Sequence, residues 1–379
     1  MVITARPSYA RIYTALEALR THEDVELQLV VAASALLERY GSAVSIIEEA
    51  GLKIDRQVYM ILEGENLVTT AKSTGFGLAE LATVFDNLKP DMVVTIADRF
   101  ETMATAVAAS YMNIPLAHIQ GGEVTGSIDE KVRHAVTKLA DLHLVASRKA
   151  AERVIRMGEN PDSVVVTGCP SIDLAQTAVE AEPREPAKIL SGYGGVGADV
   201  DVSGGYLVVL QHPVTTEYEQ AFSHVSETLE AVHEGGYPAL WFWPNVDAGS
   251  DNTSKAIRVF RERHDLPNVH FYRNLTPLDF LSILLSSDCI VGNSSVGIRE
   301  CAYLGVPAVN IGNRQRGRDR GGNVIDVDYN RNAIIHAIEQ CRSNGRQERD
   351  LLYGDGTAGP KIAEALATAT LSIEKMLPY

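Results

Sequence analysis

Short, almost unbroken apolar runs recur along the chain, and most lead into a stretch with helical periodicity. In the first half the runs are VIT (2–4), VELQLVV (25–31), DMVVTIA (91–97), PLAHIQ (115–120), LHLVAS (142–147) and SVVVTG (163–168). In the second half they are YLVVLQ (206–211), PALWFW (238–243), NVHFYRN (268–274), CIVG (289–292) and PAVNI (307–311). Helices are expected near 8–20, 101–111, 128–141 and 148–157, then near 217–234, 253–264, 277–286 and 295–304. The last twenty residues also read as helix. Apolar strands alternating with helices predict parallel sheets buried on both faces.

Residues 176–205 break the alternation with Gly, Pro and acidic residues and read as linker and loop. The GGVG at 194–197 neither follows a strand nor opens a helix, so it is not a dinucleotide fingerprint. The expectation is an α/β protein of two similar halves, 1–175 and 176–359. In open α/β sheets a ligand sits beyond the carboxyl ends of the strands, so the cleft between two such halves is the expected site.

Composition narrows the class. The length of 379 residues suits two domains, and 45% hydrophobic with 22% charged residues is ordinary for a globular chain. A net charge of −15 with a pI near 5.1 argues against nucleic-acid or anionic-membrane partners. The four cysteines form no C-x-x-C pair, which fits a reducing compartment. No apolar run is long enough for a membrane span and no signal segment is visible, so a cytoplasmic protein is expected. Met1 falls almost directly into a strand, so the natural start is expected a few residues upstream.

The chemistry-bearing motifs all sit just after strands. In VGNSSVGIREC, Ser294 and Ser295 lie where a strand meets a helix. They can cap the helix, or can hold an anion with free N–H groups and hydroxyls. Glu300 lies about a turn and a half further on, where a carboxylate could take two ribose hydroxyls. Ile298, Cys301 and Ala302 form the core stripe, leaving Arg299, Glu300 and Tyr303 off it. In IADRFE, Asp98 is either a solvated cap or an acid/base group beside the cation Arg99. HIQGGEVTGSIDEKVRH concentrates His118, Gln120, Glu123, Asp129, Arg133 and His134, too dense a polar set for a plain connection. Ser127 and Glu130 fit a capping box, and Asp129 with Arg133 an i,i+4 pair. His212 follows its strand directly, and Thr216 with Glu219 fits a second capping box. The loop holding Arg314, Arg316, Arg318 and Arg320 is unusually basic for so acidic a chain and suits a diphosphate.

Together the segments ARPSYARI, DRFE, HIQGGEVTGSIDEKVRHAVTKLADLH, GCPSID, QHPVTTE, WPNVDAGSD, GNSSVGIREC and NIGNRQRGR resemble the hydrolysing UDP-N-acetylglucosamine 2-epimerases, in order and over most of the chain. The resemblance implies a fold of two Rossmann-like domains of the glycosyltransferase-B type, with the C-terminal helix, 360–379, returning to the first domain. It implies elimination of UDP from a UDP-sugar through a glycal, then hydration to a free 2-epimer of the N-acetylmannosamine type, used for sialic or legionaminic acid. It implies no metal or nicotinamide cofactor, a small-molecule UDP-sugar as partner, and a homo-oligomer, dimer or tetramer. Carried over by position, Ser294 and Ser295 would hold phosphate, Glu300 the ribose, and Arg314 would help close the site. Arg6 and Arg99 would meet the diphosphate, with His212 and Asn245 at the sugar–diphosphate junction. Asp98 and Asp129 match catalytic carboxylates.

The chain also departs from the family. Many members carry a catalytic glutamate where Gln120 stands, and an amide cannot shuttle protons at neutral pH. The proton role then falls to Glu123 or Asp129, or the chemistry differs. Ala10 and Arg11 replace a common Ser–Lys pair, and Ser8 stands where Asp is frequent. A modified sugar such as that of UDP-N,N'-diacetylbacillosamine is therefore a candidate. The HIQGG and TARPS segments replace signatures of the non-hydrolysing epimerase.

Overall fold

The computed structural model describes residues 1–38, 43–63, 66–125, 128–244, 250–273 and 275–377. The chain divides into two compact units. Unit 1 comprises 1–123, 128–173 and 354–379, and unit 2 comprises 124–127 and 174–353.

Unit 1 is built on seven short parallel strands. β1 (Val2–Ile3), β2 (Val30–Ala32) and β3 (Arg56–Val58) pair in that order. β4 (Val93–Ile96), β5 (Leu116–Ile119), β6 (Leu142–Val145) and β7 (Val164–Val166) pair in a second run. β1 lies beside β4, so the spatial order is β3-β2-β1-β4-β5-β6-β7 and reverses between β1 and β4. Strands β1, β2, β4 and β5 are fully buried, as expected of a sheet covered by helices on both faces.

Unit 2 repeats the scheme. β9 (Leu207–Leu210), β10 (Ala239–Phe242), β11 (Val269–Tyr272), β12 (Cys289–Gly292), β13 (Ala308–Ile311) and β14 (Val324–Val327) run parallel. β8 (Gly195–Gly197) joins the edge antiparallel to β11. The order β14-β13-β12-β9-β10-β11-β8 reverses between β9 and β12. Both units thus have the Rossmann-like arrangement, with one topological switch point each.

Three expectations need correction. Residues 176–205 are not merely linker: they hold part of the helix Pro170–Glu180, the helix Pro186–Leu190 and β8. The glycines of GGVG serve pairing, since a Cβ on Gly197 would sit 2.5 Å from the Val269 carbonyl oxygen. The C-terminal helix spans only Ala358–Ala367. Beyond it, Lys375 reaches the buried carboxylate of Glu159 at 2.6 Å, which draws 368–377 out along the surface as irregular chain. The structure also adds the 22-residue helix Leu67–Leu88, started by a reciprocal cap in which Asn66 Oδ1 accepts from the Val68 and Thr69 amides at 3.0 Å.

Helix Ala358–Ala367 packs on helix Arg6–Thr21. Asp173, from GCPSID, accepts from the Ala358 and Gly359 amides at 2.8 and 2.6 Å and from Thr14 at 2.8 Å. Its role is to join three segments of unit 1. No helix among the described residues is long and apolar enough to cross a membrane.

Candidate active site

In unit 1 the chain leaves β4 through Ala97 in a left-handed conformation (φ 64°), just before Asp98. Arg99, not Asp98, is the N-cap of helix Phe100–Tyr111, and it caps without its side chain. The solvated-cap reading of Asp98 is therefore replaced by an ion pair. The Asp98 carboxylate meets the guanidinium of Arg133, a residue only 1% exposed. Arg133 comes from helix Ile128–Leu139, and its Nη1 donates to the Glu123 carbonyl at 3.0 Å. Arg99 Nε lies 3.3 Å from Oε2 of Glu101, a carboxylate with no exposure.

The next exit, from β5, carries Gln120 at φ 66°. Its side chain is buried, donates to Cys169 Sγ at 2.9 Å and accepts from Arg11 Nη1 at 3.5 Å. The helix after β1 and the loops after β5 and β7 thereby converge on one carboxamide. Glu123 is buried nearby in sequence, and Asp129 is half-buried in the first turn of its helix. Ser127 of the expected capping box and Gly126 lie outside the described residues.

Not every polar group in this dense segment faces a ligand. His118 Nε2 donates to the Ala97 carbonyl at 2.9 Å, and its Nδ1 accepts from Thr137 at 3.1 Å. Burial lowers its pKa to about 4, so it stays neutral and holds the β4 exit in place. His134 pairs with Glu130 at 3.2 Å. Arg6 opens its helix half-buried, and desolvation lowers its pKa. Ser8 is buried, whereas Ala10 and Arg11 are half-buried.

In unit 2 the switch point is closed by one amide. Asn293, with no exposure, accepts from the His212 amide at 2.7 Å and donates to the His212 carbonyl at 2.8 Å. This two-point clamp ties the exit of β9 to the exit of β12 and fixes where His212 begins. Gly292 makes the approach possible, because at φ 139° a Cβ there would sit 2.2 Å from the Leu210 carbonyl oxygen. The Asn293 carbonyl in turn accepts from Arg314 Nη1 at 3.2 Å and from Gln315 Nε2 at 2.9 Å.

The expected helix over 295–304 is a 3-10 turn, Ser295–Gly297, followed by the short helix Glu300–Leu304. Asn323 holds that turn by donating to the Gly297 and Val306 carbonyls at 3.0 and 2.9 Å. Ser294 Oγ accepts from the Val296 amide at 3.4 Å, and Ser295 Oγ accepts from Arg299 Nη2 at 3.1 Å. A hydroxyl that accepts in this way still has its own proton to donate, which suits it to an anion. Arg299, Glu300 and Tyr303 are buried, not off the packed surface as expected. Residue 299 folds back on Ser295, Tyr303 bonds Gln176, and Glu300 Oε2 lies 3.9 Å from Arg299 Nε.

The basic loop also divides. Arg320 pairs with Asp326 and with the Gln315 carbonyl, Arg318 is buried, and Arg316 is exposed. Arg314 is the loop arginine in contact with the Asn293 carbonyl. The expected Thr216–Glu219 capping box is absent: helix Ala221–Gly235 starts after a kink at Glu217 without a side-chain cap. Glu217 instead bonds Asn313 and lies 3.8 Å from His224, which stacks on Tyr329 at 3.6 Å. Asn245 lies outside the described residues. Sequence reasoning missed the clamp by Asn293 and the pairing of Arg133; the former had a signal, an amide placed directly after Gly at a strand end.

Two Rossmann-like units with polar groups gathered at the strand exits define a class of α/β proteins that take ligands beyond the carboxyl ends of their strands. Comparison with known proteins narrows this, since the UDP-N-acetylglucosamine 2-epimerase family matches residues 17–367. The chain belongs to that family. A UDP-N,N'-diacetylbacillosamine 2-epimerase (hydrolyzing) of Legionella pneumophila is 30% identical over 98% of this chain and 95% of its own. A UDP-N-acetylglucosamine 2-epimerase of Neisseria meningitidis is 27% identical over 95% of this chain and 92% of its own. The crystal structure of UDP-GlcNAc 2-epimerase from Neisseria meningitidis bound to UDP-GlcNAc superposes with a TM-score of 0.82 at 19% identity, covering 97% of this chain and 99% of that one. A structure of Staphylococcus aureus MnaA with UDP gives 0.76 at 18% identity, covering 96% and 94%. These likenesses show the fold.

Proposed function

We propose that the protein is a hydrolysing 2-epimerase acting on UDP-GlcNAc or its diacetamido analogue, and that it releases UDP and a free 2-epimeric sugar. The hydrolysing assignment is supported by the Legionella relative and by the HIQGG and TARPS segments. That relative's name also favours the diacetamido sugar, the precursor type for legionaminic acid.

The reading of the nucleotide half rests on the Asn293 clamp, which brings Ser294, Ser295, His212 and Arg314 to one strand exit. In this proposal the serine hydroxyls and Arg314 hold the diphosphate, and Glu300 takes the ribose hydroxyls. By the family resemblance, Arg6 and Arg99 would meet the diphosphate, and His212 and Asn245 its junction with the sugar. A base, Asp98, removes the C2 proton as the C1–O bond to UDP breaks and the C1=C2 bond forms. Cations at the departing phosphate stabilise its developing charge. Water then adds its oxygen to C1 and gives up one proton to solvent, and a carboxylic acid on the other face, Glu123 or Asp129, protonates C2. Exchange with solvent returns Asp98 to carboxylate and that donor to its acid form. Gln120 binds and orients without moving protons. The enzyme would work in the cytoplasm as a homo-oligomer.

Proton NMR in deuterated water tests the reading. It requires free UDP and a free sugar deuterated at C2. An epimerised UDP-sugar would make the enzyme non-hydrolysing, and turnover only with an added acceptor would make it a transferase.

A further inference from the structure

We infer that Arg133 is a positioning residue that holds Asp98 as a carboxylate and sets its distance from the loop bearing Glu123. The inference rests on the reading above, in which Asp98 acts on the sugar.

A guanidinium only 1% exposed is costly unless its nitrogens are satisfied. Arg133 uses two of them on two different strand exits. One terminal nitrogen meets the Asp98 carboxylate after β4, and the other donates at 3.0 Å to the Glu123 carbonyl after β5. The helix that carries it is anchored by Val132, Val136 and Leu139 in the core of unit 1. The fork is therefore fixed from behind, and one planar group spaces two chemically distinct loops.

The other charged groups on the packed elements have different duties. Arg99 is turned to Glu101, and His134 to Glu130. His118, on β5, remains neutral above about pH 4. Arg6 opens the helix that follows β1, and Asp129 shares the helix of Arg133. Arg133 touches Asp98 directly. A carboxylate in contact with a buried guanidinium favours its ionised form. Asp98 therefore enters the cycle able to accept a proton and unable to give one.

The test uses the full chain and the variants Arg133→Gln, Arg133→Lys and Asp98→Asn. Aspartate carboxyls are labelled with carbon-13, and the Asp98 signal is assigned by its loss in Asp98→Asn. The Asp98 midpoint should rise by about one to three pH units in Arg133→Gln and by less in Arg133→Lys. In turnover, Arg133→Gln should lose about 100-fold in kcat with little change in KM, and its acidic limb should move up with the carboxyl midpoint. Arg133→Lys keeps the charge but not the fork, so its limb should move up by less, with its smaller midpoint shift, and it should lose about tenfold in kcat. An unchanged Asp98 midpoint in the folded Arg133→Gln, or in Arg133→Lys if Arg133→Gln does not fold, overturns the inference. A shifted midpoint in a protein that turns over neither UDP-sugar supports the pairing and overturns the hydrolysing reading instead.

Discussion

At the switch point of unit 1 two ion pairs stand at the exit of β4. Asp98 pairs with Arg133, and Arg99 with Glu101. At the corresponding point of unit 2 the clamp itself is neutral: Asn293 holds the backbone of His212, while guanidinium groups donate to its carbonyl and to Ser295. The same βαβ geometry is wired once with titratable groups and once with amides and hydroxyls. A site that moves protons needs groups whose charge can change, and those groups need partners that set their charge. A site that grips a diphosphate needs donors whose geometry does not change with pH. On the proposed function, the contrast suits acid–base groups drawn from unit 1 and a nucleotide side anchored by Asn293 in unit 2.

The largest effect expected from breaking this contrast is on turnover. Asp98→Asn should lower kcat by about 10³-fold, in the range of removed acid–base groups. Its affinity for UDP by isothermal titration should stay within about twofold. An equal loss of UDP affinity would place Asp98 in the binding half.

The converse change is Asn293→Ala. It strands a buried amide and a buried carbonyl of His212, each costing about 1–3 kcal/mol. Calorimetry should show a lowered Tm, and UDP affinity should fall at least tenfold. The pH dependence of any residual turnover should stay where it is in the wild type.

A third test uses acid. The folded-state pKa of His118 is lowered to about 4, and His143 is also lowered by burial. As pH falls below about 6.5 the unfolded chain binds protons that these native imidazoles refuse, so stability falls between about pH 6.5 and 4. For His118 the loss is on the order of 3 kcal/mol at the lower end. Glu159, with Lys138, His143 and Lys375 around it, is held near pKa 2. It stabilises above the ordinary carboxylate pKa and loses that contribution as pH falls toward about 2. All these groups are in unit 1. Hydrogen exchange read by mass spectrometry should show unit 1 losing protection first on going from pH 7 to 5.

The smallest effect belongs to Arg320→Ala. Its pair with Asp326 is partly exposed, so about 0–1 kcal/mol is expected with no change in UDP affinity. Arg314→Ala in the same loop should weaken UDP. Equal effects of the two would mean that the loop acts through bulk charge.

Much of this was legible in the amino-acid order. The apolar runs located β1, β4 to β7 and β9 to β13, because a strand buried on both faces leaves a continuous hydrophobic signature. They missed β3, which has two exposed residues of three, and β14, which is largely half-buried. The serine and carboxylate motifs also stood out, since each follows a strand. Capping logic misled at Thr216 and left Asp98 open, because a cap is a local pattern and both loops are shaped by distant partners. Arg299, Glu300 and Tyr303 read as off the core stripe, yet the short helix is enclosed by Asn323, Gln176 and its own preceding turn.

What the sequence alone determined was the α/β class, the two-unit plan and the family, since periodicity and motif order are written one-dimensionally. Tertiary structure decided which polar groups hold the fold and which stand ready at the strand exits. Asp98 and Arg133 are 35 residues apart, and His212 and Asn293 are 81 apart. Only the folding of parallel strands side by side brings such pairs within hydrogen-bonding reach, and burial then makes each pairing obligatory.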